Sequence, residues 1–274
     1  MNDRTTTAKD HYEAGHADPL AQVRQFLNDT NGPLNGADLA GLDQFHVGGL
    51  AATARLVALL GIDAGQRVLD AGSGLGGPSR YVAETCGCRV TGVDLTPSYV
   101  AIAALLAERT GTAGRVDYQV GDLLALDFPD ATFDVVYTQH VVMNIRDRDR
   151  VYAEARRVLK PGGKFGFYDV LAADGQPAPH YPVPWSDTAE TSFLLTEAET
   201  LAALDGAGLK TEVWNDVSAE AIAWFEQQRA QAPAPHKPGL PLVMGPRFAQ
   251  MGANFARNLA EHRIRLAMAT AIKT

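Results

Sequence analysis

The segment VLDAGSGLGGPSR, residues 68–80, sets an acid, Asp70, two positions ahead of a glycine run. Gly72, Gly74 and Gly76 allow a tight turn and let backbone approach a ligand closely, because a Cβ there would occupy the ligand's volume. Two more acids stand at the ends of apolar runs, Asp94 in VTGVDL and Asp122 in GDLLALDF. The spacing from the glycines to Asp94 suits a carboxylate that holds a ribose diol, and Asp122 can accept from an amino group such as that of adenine. The pattern points to an adenosine-bearing cofactor. Gly72, Gly74 and Gly77 also satisfy G-x-G-x-x-G, so the loop alone leaves a nicotinamide dinucleotide open. Asp70 weighs against it, since a carboxylate repels a pyrophosphate and attracts a cationic amino-acid moiety.

Those residues need elements to hold them. RVLDA is a short apolar run entering the glycines, and residues 79–85 after it have helical character. The alternation continues: RVTGVDL a strand, SYVAIAALLAERTG a helix, RVDYQVGD and FDVVYTQHV strands, DRVYAEARRVL a helix. LKPGG reads as a turn that stops this helix at Pro161 and Gly162, ahead of the strand KFGFYDV. Residues 197–206 form a further helix, and KTEVWNDV a strand. The segment RIRLAMATAIKT sets Ile264, Leu266, Met268 and Ile272 on one parity and reads as a strand. Strands alternating with helices give a doubly wound α/β fold with a mostly parallel sheet. Its ligand crevice lies at the carboxyl ends of the strands. Residues 1–63 are expected as an N-terminal helical lid, with an amphipathic helix at 49–60 that turns Leu50, Ala54, Val57 and Leu60 to one side. Residues 64–274 are the cofactor domain, carrying cap segments 175–196 and 218–262 and a Pro-rich connector, APAPHKPGLP, at 232–241.

VLDAGSGLGG, VTGVDL, GDLLALDFPDATFDVV and LKPGG, in this order and spacing, resemble the motifs of class I S-adenosylmethionine-dependent methyltransferases across residues 66–170. The resemblance implies a seven-stranded sheet with a reversed last strand, S-adenosyl-L-methionine as cofactor and S-adenosyl-L-homocysteine as product. It implies that Asp70 and the glycines, with Ser73, meet the methionine portion, that Asp94 meets the ribose and that Asp122 meets the adenine. It adds Leu95, Gly121, Leu123 and Gln139 to the cofactor-binding set. DQFHVGG at 43–49, TQHVVMNI at 138–145 and YPVPW at 181–185 are similar to bacterial small-molecule methyltransferases. Relatives there include N-methyltransferases of glycine and sarcosine, phosphoethanolamine methyltransferases and tocopherol-type C-methyltransferases. The acceptor atom stays open, with N or O foremost and S or C behind. A nicotinamide-dependent oxidoreductase and a non-catalytic protein that keeps the cofactor fold are the alternatives.

Methyl transfer from a sulfonium needs a lone pair held close to the methyl carbon and in line with the breaking bond, which positioning largely provides. A histidine in reach would take the acceptor's proton. His140, after the fourth strand, is the candidate, and a core histidine bonded to backbone is the equal alternative. Phosphoethanolamine methyltransferases use a His–Tyr pair, and His140 with Tyr12 resemble it. His46, Asn144, Tyr181 and Trp185 are candidates for the acceptor. Tyr12, Tyr181 and Trp185 offer π faces to a sulfonium or a cationic product. Asn144 stands four residues after His140 and shares its face if a helix begins there.

The chain has 274 residues with 46% hydrophobic and 20% charged, which suits one α/β domain with appendages. A net charge of −8 opposes a phosphate backbone, so a nucleic acid is not the expected partner. The partner is a small molecule, and the oligomeric state is open between monomer and homodimer. No metal is expected, because no His and carboxylate pair sits at ligand spacing on one element. Cys86 and Cys88 are expected as buried, reduced thiols. No signal-like or membrane-length apolar run is seen, and the expected location is cytoplasmic without membrane attachment.

Overall fold

The computed structural model describes residues 11–12, 18–30, 32–230 and 239–274. Seven strands, β1 (Arg67–Ala71), β2 (Arg89–Asp94), β3 (Val116–Val120), β4 (Phe133–Gln139), β5 (Leu159–Ala172), β6 (Leu209–Asp216) and β7 (Ile264–Lys273), form one sheet in the order β3-β2-β1-β4-β5-β7-β6. β1 to β5 pair in parallel, and β7 runs antiparallel to both β5 and β6. This is the expected architecture, with the reversed strand in the second-last place. Strand order reverses between β1 and β4, and the crevice at their carboxyl ends is where such sheets take ligands.

Ten helices are described: α1 (Pro19–Asp29), α2 (Gly36–Asp43), α3 (Gly49–Leu60), α4 (Gly77–Cys86), α5 (Pro97–Arg109), α6 (Arg148–Val158), α7 (Glu197–Gly206), α8 (Ser218–Ala230), α9 (Pro241–Met244) and α10 (Phe248–Ala260). Their ends follow from local chemistry. Asp18 caps α1, accepting from the Ala21 N–H at 2.8 Å, and Asn35 with Asp38, and Thr196 with Glu199, form capping boxes on α2 and α7. Gly61 stops α3 in the left-handed region at φ 58°.

One face of the sheet packs Val68, Tyr137, Tyr168 and Met268 against Leu56 and Leu60 of α3 and Phe255 and Leu259 of α10. The other face packs Val136, Phe165 and Phe167 against Tyr152 and Val158 of α6 and Leu204 of α7. A third core joins Val23, Leu27, Leu39 and Leu42 of α1 and α2 to Tyr99, Ile102 and Leu106 of α5 and to Met244. The segment before β1 therefore shares a core with the sheet layer.

Two local expectations are corrected. In α3 the buried side chains are Thr53, Leu56 and Leu60, while Leu50, Ala54 and Val57 are half-buried. A polar residue faces inward because its hydroxyl meets Gln44 Oε1 at 2.9 Å and His46 Nε2 at 3.0 Å, which hydrophobic spacing cannot reveal. LKPGG is a bulge inside β5 rather than a turn before it: Leu159 pairs with Phe133 and Lys164 with Val135, and Gly162 takes φ 71° to absorb the extra residues. Within 218–262, α8 and α10 pack on the sheet, and of the described residues there only Leu240, Met244 and Phe248 reach the crevice. Residues 232–238 of the Pro-rich stretch lie outside the described residues. Cys86 and Cys88 are free, the first half-buried and the second buried. Among the described residues no helix is long and apolar enough to cross a membrane.

Candidate active site

The loop after β1 is tied down before it meets any ligand. Gly72 and Ser73 both donate their N–H to Val93 O on β2, at 2.8 and 3.0 Å. Gly72 stands at φ 87°, and a Cβ there would run into the Val141 side chain. Asp94 closes β2 with both carboxylate oxygens engaged, Oδ2 accepting from Gly74 N–H and Oδ1 from Thr96 N–H, each at 2.9 Å. Each oxygen keeps a lone pair for a further donor. Burial raises the Asp94 pKa against the pull of those N–H groups. Asp70 accepts from the Ser79 hydroxyl at 2.5 Å, and burial pushes its pKa up to about 6. Asp122 accepts from Leu124 N–H at 2.9 Å. The Ser73 hydroxyl is buried without a partner.

Asp70, Gly72, Ser73, Gly74, Asp94, Leu95, Gly121, Asp122, Leu123 and Gln139 all border one cavity, with about 1270 Å³ of atom-free space including its open mouth. Gly76 does not. It caps α4 at φ 74°, accepts from the Tyr118 hydroxyl at 3.0 Å, and a Cβ there would strike that ring, so the glycine serves helix-to-strand packing. Tyr181 is the other site candidate off the cavity wall: it packs against the first core, while Pro184 and Trp185 of the same segment reach the cavity.

The opposite wall carries Tyr12, His46, His140, Asn144 and Trp185. His140 sits at φ 53°, in the left-handed region that side chains rarely take, and its N–H donates to Tyr168 O at 2.7 Å. Its ring lies 4.7 Å from that of Tyr168 and 6.0 Å from that of His46, centroid to centroid. The helix expected here is a single 3₁₀ turn, Val142–Asn144, anchored by Val142 N–H on Asp169 Oδ2 at 3.1 Å. Burial, aided by His46, holds the His140 pKa well below 6.5, and burial lowers that of His46 to about 4. Both rings are neutral at pH 7. His140 Nε2 has no partner. Asn144 Nδ2 donates to Val141 O at 3.0 Å and to the Tyr12 hydroxyl at 3.4 Å, while its Oδ1 is buried and unpartnered. Trp185 leans edge-on against Phe255 at 5.2 Å, and its indole N–H donates to Ser192 Oγ at 2.9 Å.

Sequence reasoning missed a buried ion pair beside the glycine loop. Arg80 on α4, 2% exposed, meets Asp43 at the end of α2, 3% exposed. Arg80 Nη1 also donates to Leu75 O at 2.9 Å. Burial raises the Asp43 pKa to about 6 against the pull of the guanidinium, so the carboxylate is ionised at neutral pH. The only signal was a lone Arg in the glycine motif. Tyr99, Met143, Met244 and Phe248 also line the cavity and went unread.

A protein-family comparison matches residues 69–167 to the family described as a methyltransferase domain. Residues 69–167 are a methyltransferase domain. Within and around this methyltransferase domain, the chain is 40% identical over 115 residues to a sterol 24-C-methyltransferase of Gibberella zeae, covering 42% of this chain and 30% of that one. It is 34% identical over 136 residues to phosphoethanolamine N-methyltransferase 3 of Arabidopsis thaliana, covering 50% and 26%. The chain thus spans less than a third of the length of these curated relatives. Among solved structures, geranyl diphosphate C-methyltransferase from Streptomyces coelicolor A3(2), in complex with Mg²⁺, geranyl-S-thiolodiphosphate and S-adenosyl-L-homocysteine, superposes with a TM-score of 0.73 at 19% identity. That match covers 100% of this chain and 99% of the other, and it shows that the methyltransferase domain has the class I fold.

Proposed function

We propose that this protein transfers a methyl group from S-adenosyl-L-methionine to a small-molecule acceptor, releasing S-adenosyl-L-homocysteine. The observation that supports it most is the meeting of Asp70, residues 72–74, Asp94 and Asp122 on one cavity at the carboxyl edge of the sheet. The residues fit the cofactor. The unpartnered Ser73 hydroxyl suits the amino-acid end, the spare lone pairs of Asp94 suit a ribose diol, and Asp122 suits an adenine amino group.

When bound, the cofactor supplies a methyl group on a sulfonium, open to in-line displacement by a lone pair. In this reading His140, neutral at working pH, takes the proton from the acceptor or orients its lone pair. Tyr12 and Asn144 hold the acceptor, and His46 shapes the wall behind His140. Residues 1–63 and segments 175–196 and 218–262 act as the enclosure that keeps water out. The same reading places the chain in the cytoplasm as a monomer or homodimer.

Calorimetric titration with S-adenosyl-L-homocysteine and with NAD tests the cofactor. Binding of the first alone supports the proposal, and binding of NAD alone refutes it. Release of labelled product from methyl-labelled cofactor in the presence of a metabolite extract tests turnover, and binding without any transfer would favour the non-catalytic alternative.

A further inference from the structure

Resting on the methyl-transfer reading, we infer that the acceptor is a largely apolar molecule that carries one hydroxyl or amine and no anionic group, and that phosphorylated compounds are rejected. Away from the glycine loop, beside Tyr12, His46, His140 and Asn144, the cavity wall carries a group of apolar side chains, Phe45, Met143, Trp185, Leu240, Met244 and Phe248. Such side chains favour an apolar body and offer nothing to replace the hydration of an ionised head group.

The charges on the wall point the same way. Asp43, Asp70, Asp94 and Asp122 border the cavity, and among the described residues no lysine or arginine joins them. Arg80, which offsets Asp43, is 2% exposed and lies outside the wall. Burial keeps His46 and His140 neutral, so neither lends a positive charge at neutral pH. An anionic head group entering this space is repelled by the carboxylates.

Asn144 adds a directional argument. Its Nδ2 faces Val141 O, which can only accept, so the unpartnered buried atom is the amide oxygen. An O–H or N–H donor satisfies that oxygen. An ionised phosphate oxygen has no hydrogen to give and would leave two acceptors facing each other in a dry site, the costly case for buried polar atoms. The inference separates this chain from the two relatives whose names carry a phosphorylated acceptor, phosphoethanolamine and geranyl diphosphate.

Geraniol and geranyl diphosphate share one hydrocarbon chain and differ only in the head group. Calorimetric titration of each into the full chain saturated with S-adenosyl-L-homocysteine is expected to show geraniol binding at least about tenfold more tightly. Asn144→Leu should weaken geraniol and leave S-adenosyl-L-homocysteine affinity within about twofold. Equal or tighter binding of the diphosphate overturns the inference, and so does the absence of binding by either compound. Failure of the chain to bind S-adenosyl-L-homocysteine in the first place would instead overturn the methyl-transfer reading on which this one rests.

Discussion

Replacing Asp43 with Ala should cost far more than losing one surface ion pair. Both partners are almost fully buried, at 3% and 2% exposure, and without Asp43 the guanidinium of Arg80 keeps only its bond to Leu75 O. A buried charge left without its partner destabilises by about 3 to 5 kcal/mol. At about 2 to 4 °C per kcal/mol for a domain of this size, the melting temperature should fall by about 6 to 20 °C. The second arm separates charge from packing: Asp43→Leu with Arg80→Met removes both ions and should return stability to within about 1 kcal/mol of wild type or above it. The pair also has a local duty. A Cβ on Gly77 would come within 2.5 Å of Asp43 O, so α2 is seated directly on the start of α4, next to the glycine loop. Asp43→Ala should therefore weaken cofactor binding more than Leu204→Ala, an equally buried change on the far face of the sheet. Urea denaturation and calorimetry measure the two effects. An Asp43→Ala loss under about 1 kcal/mol, or a double variant as unstable as the single, would refute the reasoning.

Asp94→Ala should weaken S-adenosyl-L-homocysteine binding by about 1.5 to 3 kcal/mol, read by calorimetry, with unchanged affinity counting against the ribose role. His140→Ala should keep that affinity and lower turnover by roughly 10² to 10⁴ in a single-turnover assay. The pH profile carries the sign: with its pKa held well below 6.5 by burial, His140 is already deprotonated at neutral pH. Activity should therefore stay flat through pH 6.5 and fall only on the acid side, and a limb centred at 6.5 would contradict the burial. His46, lowered from 6.5 to about 4, contributes stability that is full above pH 6.5 and is lost as pH falls toward 4, worth up to about 3 kcal/mol. His46→Gln should flatten that part of the acid-unfolding slope, and an identical slope would show that the ring is not desolvated. Gly76→Ala should lower the melting temperature through its clash with Tyr118 and its φ of 74°, and a change confined to cofactor affinity would restore Gly76 to the cavity wall.

The strands and the acids at their ends were legible because parallel strands buried on both faces read as short apolar runs, and a charge that ends such a run stands out. Asp70, Asp94 and Asp122, which all border the cavity, were picked out in this way. Gly76 was grouped with the cavity glycines because a glycine in a ligand-binding loop and a glycine beneath a tyrosine ring look alike in one sequence. Thr53 was missed because a buried hydroxyl breaks the apolar period that locates a helix face. Asp43 and Arg80 stand 37 residues apart, and nothing local announces that two opposite charges share one dry site. The apolar wall was least legible of all, since Met244 and Phe248 come from beyond the sixth strand and reach the cavity only once the chain has folded back over α5.

The place of β7 bears on the order in which the molecule can assemble. β5 and β6 never touch as neighbours: β7, which follows both in the chain, lies between them and runs against each. As the chain emerges from a ribosome, β1 to β4 can pair and set Asp70, Asp94 and the glycine loop in place while the rest is still being made. β5 meanwhile keeps one edge of unpaired backbone groups beside Phe165, Phe167 and Val170, the kind of edge that recruits strands from other chains. Closing that edge requires Leu171 to find Arg265 across more than ninety intervening residues, a long-range pairing of the slow kind. The nascent chain thus has a vulnerable interval, bounded by the synthesis of β5 and the docking of β7, in which chaperone binding or aggregation would be decided.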